Sequence, residues 1–117
     1  MNNLYDQDNI FAKILRSEIP CNKILENEFA LAFSDINPQA PIHILVIPKN
    51  AYINFYDFTK NASNKEHESF WKMVNDVIEH YKVEKEGFRI ITNSGYNGNQ
   101  DVPHFHVHLL GGENLGR

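Results

Sequence analysis

The segment VPHFHVHLLGG, Val102 to Gly112, places His104, His106 and His108 at every second position, with Phe105, Val107, Leu109 and Leu110 between and after them. This alternation, the β-branched Val107 and the closing glycines predict a strand. Successive strand side chains point to opposite faces, and neighbours on one face stand ~6.5–7 Å apart. The three imidazoles then share a face, and Phe105, Val107 and Leu109 enter the core. Packing alone explains this poorly, because a buried neutral imidazole needs both a donor and an acceptor partner.

Three readings compete on the residues alone. One is a polar strand face with incidental histidines. A second is a metal centre, because His-x-His on a strand can supply two zinc ligands, and Asp35, Asp101 or His43 could complete the set. The third is catalytic: one imidazole attacks an electrophile while its neighbours hold the leaving group and orient the ring. Histidine suits that task because its neutral form is abundant near pH 7.

Working outward, FRIITN (Phe88 to Asn93) reads as the preceding strand, joined by the Gly- and Asn-rich loop SGYNGNQD. Ser63 to Lys85 reads as a long helix with an apolar stripe of Phe70, Val74, Val77, Ile78 and Tyr81. Ser63 and Glu66 form a capping-box pattern at its start, and Gly87 is the expected stop. IHILVIP (Ile42 to Pro48) is a strand with His43, Leu45 and Ile47 on one face and Ile42, Ile44 and Val46 on the other. NKILEN and FALAFSD read as a hairpin, and Asn9 to Arg16 as a short helix capped by Asn9 or Asp8, with Pro20 beyond it. Helix, three strands, helix and two strands predict a single α+β domain over residues 1–117: an antiparallel five-stranded sheet with its helices on one side.

With 117 residues the chain can bury a core without staples. A net charge of −4, with no Lys/Arg-rich stretch, argues against general nucleic-acid binding. A lone Cys21 excludes an internal disulfide and any Cys-x-x-Cys zinc site. No apolar run approaches a membrane span, and the N-terminus does not read as a signal peptide, so a cytoplasmic location is expected. His67 and His80 lie off the helix's apolar stripe and read as solvated.

HFHVHLL also fits the pattern His-φ-His-φ-His-φ-φ, with φ hydrophobic, and so resembles the histidine triad (HIT) family. NIFAKILRSEIP, LAFSDINPQAPIHILVIPK and GFRIITNSGYNGNQDVPHFHVHLLGG resemble that family's opening, central and closing segments, most closely those of its Hint-type nucleoside phosphoramidases. The resemblance implies a homodimer whose two sheets join edge to edge. It also implies hydrolysis of phosphoramidate or acyl-phosphate bonds of purine nucleoside monophosphates such as AMP, with no cofactor and no catalytic metal. His106 would be the nucleophile that becomes nucleotidylated, its ring oriented by a backbone carbonyl, here that of His108. His104 and His108 would donate to phosphate oxygens, and His43 matches the family's fourth histidine. Asn93 and the backbone of Gly95 to Gln100, including Asn99 where the branch usually has glycine, would meet phosphate. Asp35 would bind the ribose hydroxyls. Ile36, Phe33 and Phe11 or Ile10 would form the slot for the base.

Two departures from the pattern matter. Asp101 stands where animal relatives carry serine, and an ionised carboxylate cannot donate to a leaving group; it would instead favour a cationic amine. Asn9 and Ala12 stand where many bacterial members carry a zinc-binding Cys-x-x-Cys, so no structural zinc is expected. The residues after Gly112, ENLGR, do not resemble the tryptophan-containing tail of the animal proteins. The rival functions are a dinucleoside polyphosphate hydrolase or nucleotidylyltransferase with the same nucleophile, and a non-catalytic nucleotide-binding regulatory module.

Overall fold

The computed structural model describes residues 4–117. The elements run α1 (Ile10–Leu15), β1 (Lys23–Glu26), β2 (Ala30–Ser34), β3 (Ile42–Pro48), α2 (Phe55–Asn61), α3 (Asn64–Tyr81), β4 (Arg89–Ile91) and β5 (Val107–Gly111). One antiparallel sheet carries the strands in the order β1-β2-β3-β5-β4. The last strand therefore inserts beside β3, and β4 is left at the outer edge.

β3 is paired on both sides and packed on both faces, which is why IHILVIP is apolar at almost every position. Its two faces separate as the alternation predicts. Ile44 and Val46 join Ala30, Ala32, Val107 and Leu109 beneath α3, whereas Leu45 and Ile47 join Leu31, Phe33 and Phe11 on the opposite face. Phe11 belongs to α1, so the helices do not all lie on one side: α3 covers one face and α1 part of the other. A six-residue helix with one dominant aromatic carries too little periodicity to show which face it covers.

Three further boundaries differ from the sequence reading. α3 ends at Tyr81, not Lys85, because Lys82 takes up the left-handed C-cap conformation (φ 56°, ψ 43°), ahead of Gly87. α2 is absent from the reading because only Phe58 of its seven residues is buried, leaving no apolar repeat to detect. Asn54 nonetheless caps it by accepting from the Asp57 N–H at 2.9 Å. The final strand begins at Val107, so His104 and His106 lie in extended chain leading into β5, and only His108 is on the strand itself. The Phe105 N–H is engaged by the Tyr52 carbonyl, in the segment before α2, at 2.7 Å. Phe105 is anchored between Phe58 and Phe70, with ring centroids 4.9 and 5.1 Å away. His67 is not solvated as expected: it is half-buried against Phe58, 4.6 Å between centroids.

The α3 capping box is present and does more than cap. Ser63 Oγ accepts from the Glu66 N–H, and Glu66 accepts from the Ser63 N–H. The buried Glu66 carboxylate also accepts from Asn50 Nδ2 at 2.8 Å and Tyr52 Oη at 2.9 Å. These bonds hold its pKa below the usual carboxylate range although burial pushes it up. The helix start is thus tied to the segment that anchors Phe105. Replacing Glu66 by Ala orphans three donors and is expected to cost about 2–4 kcal/mol in urea unfolding. Lys72→Ala, which breaks only an exposed ion pair to Asp76, should cost about 0–0.5 kcal/mol in the same measurement.

Candidate active site

His106 is buried, and its Nδ1 lies 2.7 Å from the backbone carbonyl of His104. A carbonyl can only accept, so Nδ1 carries the proton and Nε2 keeps its lone pair. The orienting carbonyl is therefore that of His104, not His108 as the resemblance suggested. A residue two places earlier in extended chain reaches back to the ring, whereas the His108 backbone is committed to pairing with β3 and β4. Thr92 Oγ1 donates to the His106 carbonyl at 2.7 Å and fixes the backbone from the other side. The ring edge is packed by Phe11 at 5.0 Å.

His108 receives its orientation from His43. The Gln39 N–H donates to His43 Nδ1 at 3.0 Å, which places the His43 proton on Nε2. That proton faces His108 Nδ1 at 2.9 Å and Asp35 Oδ2 at 3.4 Å. With Nδ1 accepting, neutral His108 carries its proton on Nε2. This chain of tautomers gives two neighbouring rings, 5.0 Å apart, opposite characters: His106 presents a lone pair and His108 an N–H.

His104 has a different surrounding from the one expected. It is fully buried, with Nε2 donating to the Pro48 carbonyl at 2.8 Å and Nδ1 accepting from Tyr5 Oη at 2.5 Å. Both nitrogens are occupied inside the protein, so its side chain cannot donate to a phosphate oxygen. Its contribution is the backbone carbonyl under His106.

Burial lowers the pKa of all four histidines. His104 and His108 are pulled to about 4, each chiefly by desolvation, with the neighbouring imidazoles adding to it for His108. His43 and His106 also fall below the ordinary imidazole value through burial, partly opposed by Asp35 for His43 and by the His104 carbonyl and Asp101 for His106. At pH 7 the cluster is neutral, as a nitrogen nucleophile requires.

The His106 and His108 rings open onto a cavity of about 230 Å³ whose lining includes Ile10, Phe11, Phe33, Asp35, Ile36 and Asp101. Ile36 is 83% exposed, an uncovered apolar side chain at the mouth. Asp35 Oδ1 accepts from the Asn37 N–H, and its other oxygen faces His43. Asp101 projects into solvent with Oδ1 4.0 Å from His106 Nε2, beyond hydrogen-bonding distance.

Three predicted phosphate contacts are placed elsewhere. Asn93 lines a neighbouring recess of about 300 Å³ with His43 and His108, and its Nδ2 is spent on the Gly98 carbonyl at 2.8 Å. Gln100 braces the loop, donating to the Ile53 and Val102 carbonyls and accepting from the Gly95 N–H. Asn99 occupies the left-handed region (φ 58°) that glycine would fill, but its N–H bonds the Tyr96 carbonyl. The amides of Gly95, Asn99 and Gln100 are thus turned inward to hold the loop. Gly98 packs so closely that a Cβ would lie 2.4 Å from the Ser94 carbonyl oxygen.

Among the described residues, Asp35, His43 and His108 bring possible metal-ligating atoms within 4.8 Å of one another. At the zinc-motif positions, Asn9 instead caps α1 through the Ala12 N–H. No described helix is long and apolar enough to cross a membrane. Tyr5, Thr92 and Tyr52 were not identified from the sequence; nothing in their local spacing marks them as partners of the histidine segment.

Comparison with known proteins shows the family of the chain. The HIT domain family matches residues 16–115. A HIT-like protein of Azospirillum brasilense is 51% identical over 112 residues, covering 96% of this chain and 92% of its own. The purine nucleoside phosphoramidase of Escherichia coli K12 is 40% identical over 114 residues, covering 94% and 92%. Among solved structures, a histidine triad protein from Clostridium difficile superposes with a TM-score of 0.82 at 38% identity, covering 100% of this chain and 98% of that one. A HIT family hydrolase from Clostridium thermocellum gives 0.81 at 36% identity, with 96% of each chain covered. With a lone-pair imidazole seated on a backbone carbonyl and these relatives at near full length, the chain belongs to the histidine triad family and is an enzyme of that family.

Proposed function

We propose that this enzyme hydrolyses phosphoramidate or acyl-phosphate bonds of purine nucleoside monophosphates through a nucleotidyl-histidine on His106. The observation that carries the reading is the His106 Nδ1–H bond to the His104 carbonyl, which leaves Nε2 as a neutral nucleophile beside a slot. The similarity to a purine nucleoside phosphoramidase supports the substrate class.

In the first step Nε2 of His106 attacks the α-phosphorus. The P–Nε2 bond forms as the bond to the amine nitrogen or acyl oxygen breaks; the amine departs with that electron pair and a proton taken from solvent, the acyl group as its carboxylate. The positive charge on the imidazole is shared with Nδ1–H, which the His104 carbonyl stabilises. The His108 Nε2–H supplies a donor for a phosphoryl oxygen. In the second step water attacks phosphorus and releases a proton to solvent, the P–Nε2 pair returns to the ring, and the nucleoside monophosphate leaves. Asp35 serves the ribose hydroxyls, and Phe11, Phe33 and Ile36 the base. None of these steps uses a metal.

Asp101 shapes the choice of leaving group. Its carboxylate, 4.0 Å from Nε2, repels an anionic leaving group and favours a protonated amine. We also infer a homodimer through the uncovered β4 edge, where Phe88 and Ile90 are exposed apolar side chains that pairing would cover.

His106→Ala should reduce adenosine phosphoramidate hydrolysis at least about a thousand-fold while AMP still binds. Turnover should survive a chelator; its loss would redirect the reading to metal-dependent hydrolysis at Asp35, His43 and His108. Retained turnover in the variant would exclude the nucleophile. Preference for a diadenosine polyphosphate would assign the rival hydrolase function. Because burial holds the His106 pKa below 6.5, the acid limb of kcat/KM should have its midpoint below pH 6.5, and a midpoint above it would contradict a buried neutral nucleophile. Asp101→Ser should shift the ratio of amine to acyl leaving groups toward acyl. An unchanged ratio would remove Asp101 from substrate selection.

A further inference from the structure

The geometry points to Tyr5, ahead of the matched HIT domain, as a positioning residue that sets the orientation of His106 by locking the ring whose backbone carbonyl His106 rests on. The inference rests on the reading of His106 as the nucleophile.

His104 is fully buried, and its Nε2–H is committed to the Pro48 carbonyl. Its Nδ1 is therefore an acceptor, and the donor it meets is the Tyr5 hydroxyl, 2.5 Å away across 99 residues of sequence. The Tyr5 and His104 rings also meet edge to face at 5.6 Å. Remove that hydroxyl and a buried nitrogen loses its donor, a condition that folded proteins relieve by moving the ring or its backbone. The backbone that would move carries the carbonyl 2.7 Å from His106 Nδ1.

Tyr5 is held in place by a strap. The Asp6 carbonyl accepts from both the Asn9 N–H and Asn9 Nδ2, while Asn9 Oδ1 caps α1. Arg16 Nη1 donates to the Gln7 carbonyl. The same helix packs Phe11 against His106, so one short segment holds both rings. Tyr5 does not line the slot, so its effect should fall on the chemical step and not on binding.

The test is Tyr5→Phe, with replacement of Tyr5 alone by a fluorinated tyrosine as a size-conserving second variant. Kinetics with adenosine phosphoramidate are paired with imidazole ¹⁵N spectra of histidine-labelled, substrate-free protein. For Tyr5→Phe, kcat should fall about ten-fold or more with KM within about two-fold of the parent, and His106 should lose its single Nδ1–H signature. The fluorinated hydroxyl, a stronger donor, should move the His104 Nδ1 resonance while His106 keeps its tautomer. A Tyr5→Phe protein with parental kcat and an unchanged His106 signature would reduce Tyr5 to packing and overturn the inference. If that variant does not fold, an unmoved His104 resonance in the fluorinated protein overturns it. The spectra need no substrate, so they decide the point even if phosphoramidates prove not to be cleaved.

Discussion

The hydrogen bond from His106 Nδ1–H to the carbonyl of His104 is the constraint around which this molecule is arranged. It selects one tautomer, and the selected tautomer has its lone pair on the nitrogen that faces the slot. The bond needs three things at once: a chain extended enough for residue 106 to reach back to 104, a fixed carbonyl, and a ring kept from protonation. The first comes from the lead into β5, the second from the buried His104 ring, and the third from burial. A free imidazole in water has none of these and exchanges tautomers freely.

Phe105 links this arrangement to the rest of the fold. Its side chain enters the aromatic cluster of Phe58 and Phe70 beneath α3, on the side of the sheet away from the slot. The alternation His-Phe-His is therefore a division of labour across one strand direction. Phe105 and Val107 fasten the segment to the core, while His106 and His108 line the cavity on the opposite face. Aromatic contacts of this kind contribute about 0.5–1.5 kcal/mol per pair beyond area burial, enough to give the backbone a single position.

Much of the fold could be read from periodicity because α3 buries one stripe and the central strands carry apolar residues on both of their faces. The hairpin and α3 could be recognised in this way, and the two faces of β3 separate residue by residue as the alternation implies. α2 could not be read, since Phe58 is its only buried side chain. In the site, the motif and the resemblance named His106, His108, Phe33, Asp35 and Ile36, which the structure brings to one cavity, but not how the rings are connected. The partner of His104 Nδ1 is 99 residues away, and its Nε2 partner is a carbonyl at the end of β3, 56 residues away. Local spacing carries no information about such contacts. The bracing role of Asn99 and Gln100 was hidden for a related reason: polar residues in a Gly-rich loop look the same whether their amides face a ligand or brace the loop.

The insertion of β5 between β3 and β4 has a further consequence. The strand that continues the histidine segment is flanked by neighbours on both sides, so its amides should open to solvent only when most of the sheet opens. The residues that line the mouth, Ile36 and Asp101, stand instead on exposed connections that can change without disturbing that unit. The proposed nucleophile and the residues proposed to select the substrate thus occupy regions of very different local stability. In lineages built on this sheet, substitutions at the mouth can be sampled at little cost to folding, while those beneath the histidines are constrained by the cooperative core.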